Sequence, residues 1–149
     1  MKICIPTSSG GHLTQVMALK PWWCGHSRFF VTYQTPDVQS LLKNEKKYTS
    51  FGPEHHNGVA AFLNFFLALV LLVRERPSLV FSFGAGIAAP FYWAAWLLRV
   101  PSLYIEPYDF VSRPSLTARL VSFFASTLLV QHKSLRSSLR NSCYWGSVL

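Results

Sequence analysis

The chain has 149 residues, with 14 Lys and Arg against 6 Asp and Glu, giving a formal charge of +8. Half of it is hydrophobic and 15% aromatic, while only 13% is charged, against roughly 25% in an ordinary soluble domain. That excludes intrinsic disorder, fits one domain, and leaves an apolar excess for a membrane or partner to cover, with basic charge suited to an anionic ligand.

Short β-like runs alternate with helical ones along the whole chain. Lys2–Pro6 reads as a strand, and its apolar run stops too early for the core of a signal peptide. The loop Ser8-Ser9-Gly10-Gly11-His12 leads into a helix reaching Lys20. Phe29–Tyr33 is a second strand, Thr35-Pro36-Asp37 opens a helix to about Lys43, and Tyr48–Phe51 is a third strand. Val59–Val73 then runs 15 residues with Asn64 as its one polar member. As a helix it would be about 22 Å long, short of the ~30 Å hydrocarbon core. A buried core helix and an interfacial helix both fit this run, and a bilayer-surface protein is favoured over a spanning one. Leu79–Phe83 is a buried strand, Gly84-Ala85-Gly86 opens a helical run over Ile87–Val100, and Leu103–Glu106 is a fifth strand. A helix over Ser115–Phe124, a strand over Thr127–Gln131, a helix over Lys133–Leu139 and a short strand at Cys143–Trp145 complete the pattern. Strands of this length alternating with helices predict an α/β fold: a single Rossmann-like parallel sheet with helices on both faces.

Ligands of such a sheet bind outside the carboxyl ends of the strands, near the switch point of the topology. Three loops there hold the candidate residues. Ser9, Gly10 and Gly11 let backbone approach a ligand at a helix N-terminus, and His12 beside them could take a proton; a plain glycine turn fits as well. Gly84 and Gly86 could cradle a phosphate or simply let a helix pack closely on the sheet. Glu106 and Asp109 end strand five, where a carboxylate could act as base, bind sugar hydroxyls, or be a solvated acid or a partner of Arg113.

The loops also exclude several chemistries. There is no G-x-G-x-x-G with a ribose-holding acid, no P-loop Lys and no nucleophile elbow, which argues against dehydrogenase, NTPase and α/β-hydrolase readings. His55-His56 and Cys24-Gly25-His26 lack further ligands at metal spacing, so no metal and no cofactor is expected. The scattered Cys4, Cys24 and Cys143 suit reduced thiols in a cytosolic compartment. Lys43, Lys46 and Lys47 flank one turn, and His132, Arg136 and Arg140 at i, i+4, i+8 predict a basic helix face. Anionic lipid competes with mere solvation for that face. Nucleic acid is disfavoured, because the aromatics sit inside apolar runs rather than among the basic residues.

The opening KICIPTSSGGHLTQ, the middle LVFSFGAGIAAPF and the stretch YIEPYD followed by RPSLTARL resemble bacterial exopolysaccharide-synthesis proteins of the PssD type. These are relatives of the acceptor-side, membrane-anchoring Alg subunit of the two-component UDP-N-acetylglucosamine transferase. More distantly, the Gly-Gly-His loop is similar to that of MurG glycosyltransferases. The resemblance runs in order over nearly the whole chain, to YWGSVL.

It implies the equivalent of the N-terminal half of a GT-B glycosyltransferase, one acceptor-side domain over residues 1–149. A separate glycosyltransferase subunit would bind the UDP-sugar; one α/β unit cannot form a two-domain cleft by itself. The acceptor implied is a polyprenyl-diphosphate-linked sugar, used in polysaccharide or lipid-linked oligosaccharide synthesis by inverting transfer, with little activity expected without the partner. His12 would be the base or a diphosphate contact, with Glu106 second choice as base. Ser9, Gly10, Gly11, Gly84, Gly86, Asp109 and Arg113 would bind acceptor. Phe62, Phe65, Phe66, Leu69, Arg74 and Arg76 would contact the membrane surface on its cytoplasmic face, peripherally or monotopically. Relatives often carry an Arg four residues after the strand-five Glu, where this chain has Phe110; no separate amino-terminal anchor like that of the eukaryotic subunits is expected, so attachment would rest on the internal apolar surface. The competing expectation is a non-catalytic membrane scaffold that recruits or enhances the partner.

Overall fold

A computed structural model describes residues 1–52 and 58–148. Seven strands form one sheet: β1 (Lys2–Pro6), β2 (Ser27–Thr32), β3 (Lys47–Thr49), β4 (Leu79–Ser82), β5 (Ser102–Ile105), β6 (Thr127–Val130) and β7 (Ser142–Tyr144). Every pairing is parallel, in the order β3-β2-β1-β4-β5-β6-β7. The helices are α1 (Gly11–Ala18), α2 (Lys20–Trp23), α3 (Pro36–Leu41), α4 (Gly58–Glu75), α5 (Ala88–Leu97) and α6 (Leu116–Val121). The fold class expected from the sequence is the one found.

Alternation along the strands builds two cores. Ile3, Ile5, Phe30 and Phe81 point to one face, under Leu13, Val16, Trp23 and Val38 of α1–α3. Cys4, Phe29, Val31 and Val80 point to the other, under Ala68, Leu71, Leu72, Phe91 and Val121 of α4–α6. Because both faces are covered, the central strands read as continuous apolar runs. The chain moves outward from β1 to β3 and then returns through α4 to β4, on the other side of β1. The switch point therefore lies between β1 and β4.

The helix ends differ most from expectation. The helix after β1 breaks at Leu19, where Pro21 starts a separate turn, α2. The run expected over Lys133–Leu139 is a 3-10 turn over Lys133–Leu135. Within it, Ser134 Oγ donates to Val111 O, in the loop between β5 and α6. His132, Arg136 and Arg140 therefore do not form a stripe along one helix.

The apolar helix α4 is 18 residues long, about 27 Å at ~1.5 Å per residue, and longer than the apolar run suggested. Two polar side chains fix it to the sheet. Asn64 accepts from Phe51 N at 2.9 Å and donates back to Phe51 O at 3.0 Å. Glu75, 8% exposed, takes Lys2, Lys46 and the Tyr48 hydroxyl from the starts of β1 and β3. Those donors, Lys2 first, lower its carboxyl to a pKa of about 2. Lys46 is thus committed to Glu75 and Lys47 to Leu42 O at 2.9 Å, which absorbs most of the basic cluster before β3.

Candidate functional site

The carboxyl ends of β1 and β4 bring the two glycine loops together. Gly10 caps α1 without any side-chain cap, at φ +66°, so the first turn of α1 presents backbone at the crevice. Its own N–H is not open: it donates to Asp37 Oδ2 at 2.8 Å. Asp37, in the first turn of α3, is held below the usual carboxylate range by the Thr35 hydroxyl and this N–H. Ser82, at the end of β4, donates from Oγ to Pro6 O at 2.6 Å and accepts from Gly84 N at 3.0 Å, linking the two loops.

His12, on the first turn of α1, places Nδ1 3.2 Å from Phe83 O. A carbonyl only accepts, so Nδ1 carries the proton and a neutral ring has its acceptor lone pair on Nε2. Gly84 shapes the same spot. It lies at φ +106°, and a methyl group there would sit 2.8 Å from Tyr104 Oη and 3.7 Å from His12 Cε1. Ala85 follows at φ +73°, a left-handed conformation unusual for a residue with a Cβ. Ser9, Gly11 and Gly86 lie on the same two loops, with Gly11 and Gly86 exposed.

Glu106 is at the end of β5 but fully buried. It accepts from Ser115 N at 2.5 Å, Ser115 Oγ at 3.0 Å and Tyr104 Oη at 3.0 Å. Burial raises its pKa against the pull of these donors. Ser115 also caps α6, accepting from Ala118 N at 3.0 Å, so Glu106 fixes the start of that helix. Its partner is Ser115, not Arg113, which is exposed in the loop between them. Asp109 is exposed and accepts from Gln15 Nε2 at 3.4 Å. Gln15 in turn accepts from Tyr108 N and from Gln131 Nε2, tying α1 to the ends of β5 and β6. Phe110, where relatives carry Arg, packs against the α4–α6 core.

Tyr104, Ser115, Ser82, Asp37 and Gln15 were missed as site residues by sequence reasoning. The signals were modest: Tyr104 stands two before Glu106 on one strand face, and Gln15 stands three after His12 on one helix face. His55 and His56 lie outside the described residues. Among the described residues no cluster of His, Cys, Asp and Glu could hold a metal ion.

Away from the crevice, α4 turns Val59, Phe62, Leu63, Phe66, Val70 and Val73 outward, all more than two-fifths exposed. Phe65 and Leu69, expected on the same face, lean inward onto the core. Arg74 and Arg76 are exposed at the carboxyl end of α4. Trp96, Leu97 and Leu98 at the end of α5, and Leu116, Leu120 and Phe123 on or just past α6, extend this apolar surface.

The fold has relatives among solved structures. MurG of Acinetobacter baumannii superposes with a TM-score of 0.77 at 19% identity, over 99% of this chain and 45% of that one. UDP-N-acetylglucosamine 2-epimerase of Rickettsia bellii gives 0.74 at 10% identity, over 99% and 45%. UDP-GlcNAc 2-epimerase of Neisseria meningitidis, bound to UDP-GlcNAc, gives 0.72 at 16% identity, over 99% and 46%. The chain thus spans less than half the length of each, and corresponds to the N-terminal Rossmann-like half of a GT-B enzyme such as MurG. No curated protein matches the sequence. A family profile, "Oligosaccharide biosynthesis protein Alg14 like", matches residues 55–148, well over half of the chain. The chain therefore belongs to the Alg14-like family, on a glycosyltransferase fold.

Proposed function

We propose that this chain is the acceptor-side subunit of a two-component glycosyltransferase. It docks on the cytoplasmic leaflet, receives a polyprenyl-diphosphate-linked sugar and recruits a separate subunit that holds the UDP-sugar. The observation that carries this reading is the crevice between β1 and β4, where two glycine loops meet at His12. An acceptor diphosphate would meet the Gly84 loop and the first turn of α1 beyond Gly10, whose own N–H is held by Asp37, with Ser9, Gly11 and Gly86 as close backbone approaches. Asp109, tied to α1 through Gln15, and Arg113, exposed in the loop after β5, would contact acceptor sugar and phosphate.

His12 is the base in this reading. Its Nδ1–H is oriented by Phe83 O, so Nε2 takes the acceptor hydroxyl proton as the oxygen attacks the anomeric carbon and UDP departs with inversion. Glu106 serves as a positioning residue, because its carboxylate is buried under Tyr104 and Ser115.

The apolar face of α4 supports docking on the membrane rather than spanning it. Six of its 18 residues are buried, and Asn64 and Glu75 would lose their partners if the helix left the sheet. Phe62 and Phe66 are the largest side chains on this exposed face and would enter the acyl boundary, with Arg74 and Arg76 beside anionic headgroups.

The test is to purify the chain alone and together with its donor-binding subunit, and to measure sugar transfer to a polyprenyl-diphosphate-linked acceptor. Transfer should need the pair. His12→Ala should lower kcat about a hundredfold or more while the pair still forms. Full turnover by a His12→Ala pair would leave the chain as a non-catalytic membrane scaffold for its partner.

A further inference from the structure

A buried amide at the end of β6 joins four segments at the carboxyl edge of the sheet. Gln131, 4% exposed, directly follows Val130 of β6. Its Nε2 donates to Glu106 O at 3.0 Å and to Gln15 Oε1 at 3.1 Å. Its Oε1 accepts from Val148 N at 2.8 Å and from Ser147 Oγ at 3.3 Å. Val148 N only donates and Glu106 O only accepts, so these partners fix which way the amide points. Both donors and both lone pairs are then in use. Gln15, 5% exposed, carries the link onward. Its Oε1 also accepts from Tyr108 N at 2.9 Å, and its Nε2 donates to Asp109 Oδ1 at 3.4 Å.

We propose that Gln131 is a positioning residue, which holds the acid-bearing segment Glu106–Asp109 against α1. None of its side-chain bonds goes to a sheet strand. They go to that segment, to α1 and to the residues after β7. A buried network with every member satisfied holds one arrangement. Gln15 stands three residues after His12, on the same face of α1, so the link also sets the segment relative to the proposed base. The far side of the link is anchored, because Val148 packs on the α1–α3 core. The inference rests on the reading of the crevice as an acceptor site, and it makes Gln131 a determinant of acceptor binding that touches no acceptor itself.

Two variants interrupt the link from opposite sides. Gln131→Met keeps the side-chain length and loses all four bonds; Val148→Pro removes one donor and leaves the segment untouched. In the chain alone, hydrogen exchange at Tyr108 N–H should quicken about tenfold in each, the worth of one hydrogen bond, with amides of β1 and β4 unchanged. In the pair, KM for the polyprenyl-diphosphate-linked acceptor should rise about tenfold, while kcat and the KM for UDP-sugar hold. Gln15→Met acts through the same link, so combined with Gln131→Met it should raise acceptor KM by clearly less than the product of the single effects. Where Gln131→Met fails to fold, Val148→Pro decides. Unchanged exchange at Tyr108, unchanged acceptor KM, or fully multiplicative effects in a working pair would overturn the inference. A wild-type pair that transfers no sugar would overturn the reading of function and this inference with it, and that failure shows before any variant is made.

Discussion

On the α1–α3 face of the sheet the helices are short, and Trp22 and Leu41 are the large apolar side chains they turn to solvent. On the α4–α6 face the outward surface is apolar nearly throughout, from Val59 and Phe62 to Trp96 and Phe123. Both faces bury their inward residues equally well. The difference lies in what the outer sides are left to meet. An apolar sequence therefore does not by itself report burial: α4 is the most lipid-like stretch of the chain, yet it is held in place by an amide and a carboxylate.

The contrast can be broken most directly by charge on the outer face. Phe62→Glu with Phe66→Glu should lower partitioning onto anionic vesicles about a hundredfold in co-sedimentation, with secondary structure unchanged. Leu41→Glu on the opposite face should leave partitioning alone. The crevice can be deformed without touching either outer face. Gly84→Ala forces a methyl against Tyr104 Oη at positive φ and should cost about 2–4 kcal/mol in urea unfolding, while vesicle binding persists.

Removing charge beside the apolar face should act more gently. Arg74→Ser with Arg76→Ser should weaken vesicle binding by about 1 kcal/mol per residue, and the effect should fade at high salt.

The Glu75 clamp tests how α4 is held. Its carboxyl is lowered to about 2, so its stabilisation is complete above the ordinary carboxylate value and disappears as pH falls through about 2. Wild type should melt above Glu75→Gln at pH 6, and the gap should close on acidification. Glu106 has the opposite sign. Burial raises its pKa, so the folded state binds the proton more tightly and stability declines as pH rises through that raised value. Glu106→Gln should flatten this decline, read as melting temperature against pH, with the smallest effect of the series.

The sheet was legible because strand and helix alternate cleanly, and because Gly10-Gly11, Gly84 and Glu106 each stand where a strand ends. The positions of loops at the carboxyl edge follow from that order. Their contacts do not. His12 meets Phe83 across 71 residues, and Asp37 reaches Gly10 across 27, so no local pattern announces either. Glu106 read as an available acid because its strand-end position is visible in sequence, whereas its burial depends on Ser115, beyond an intervening loop. The expected helix over Lys133–Leu139 stops after one turn at Lys133–Leu135, and Ser134 within it is tied to Val111, 23 residues away, which no local pattern shows.

The hydroxyl of Ser82 has a mechanical consequence. By donating to Pro6 O while accepting from Gly84 N, it acts as a pin common to both walls of the crevice. The two walls are therefore tied to each other through one side chain, and losing that hydroxyl would remove a bond from each wall at once.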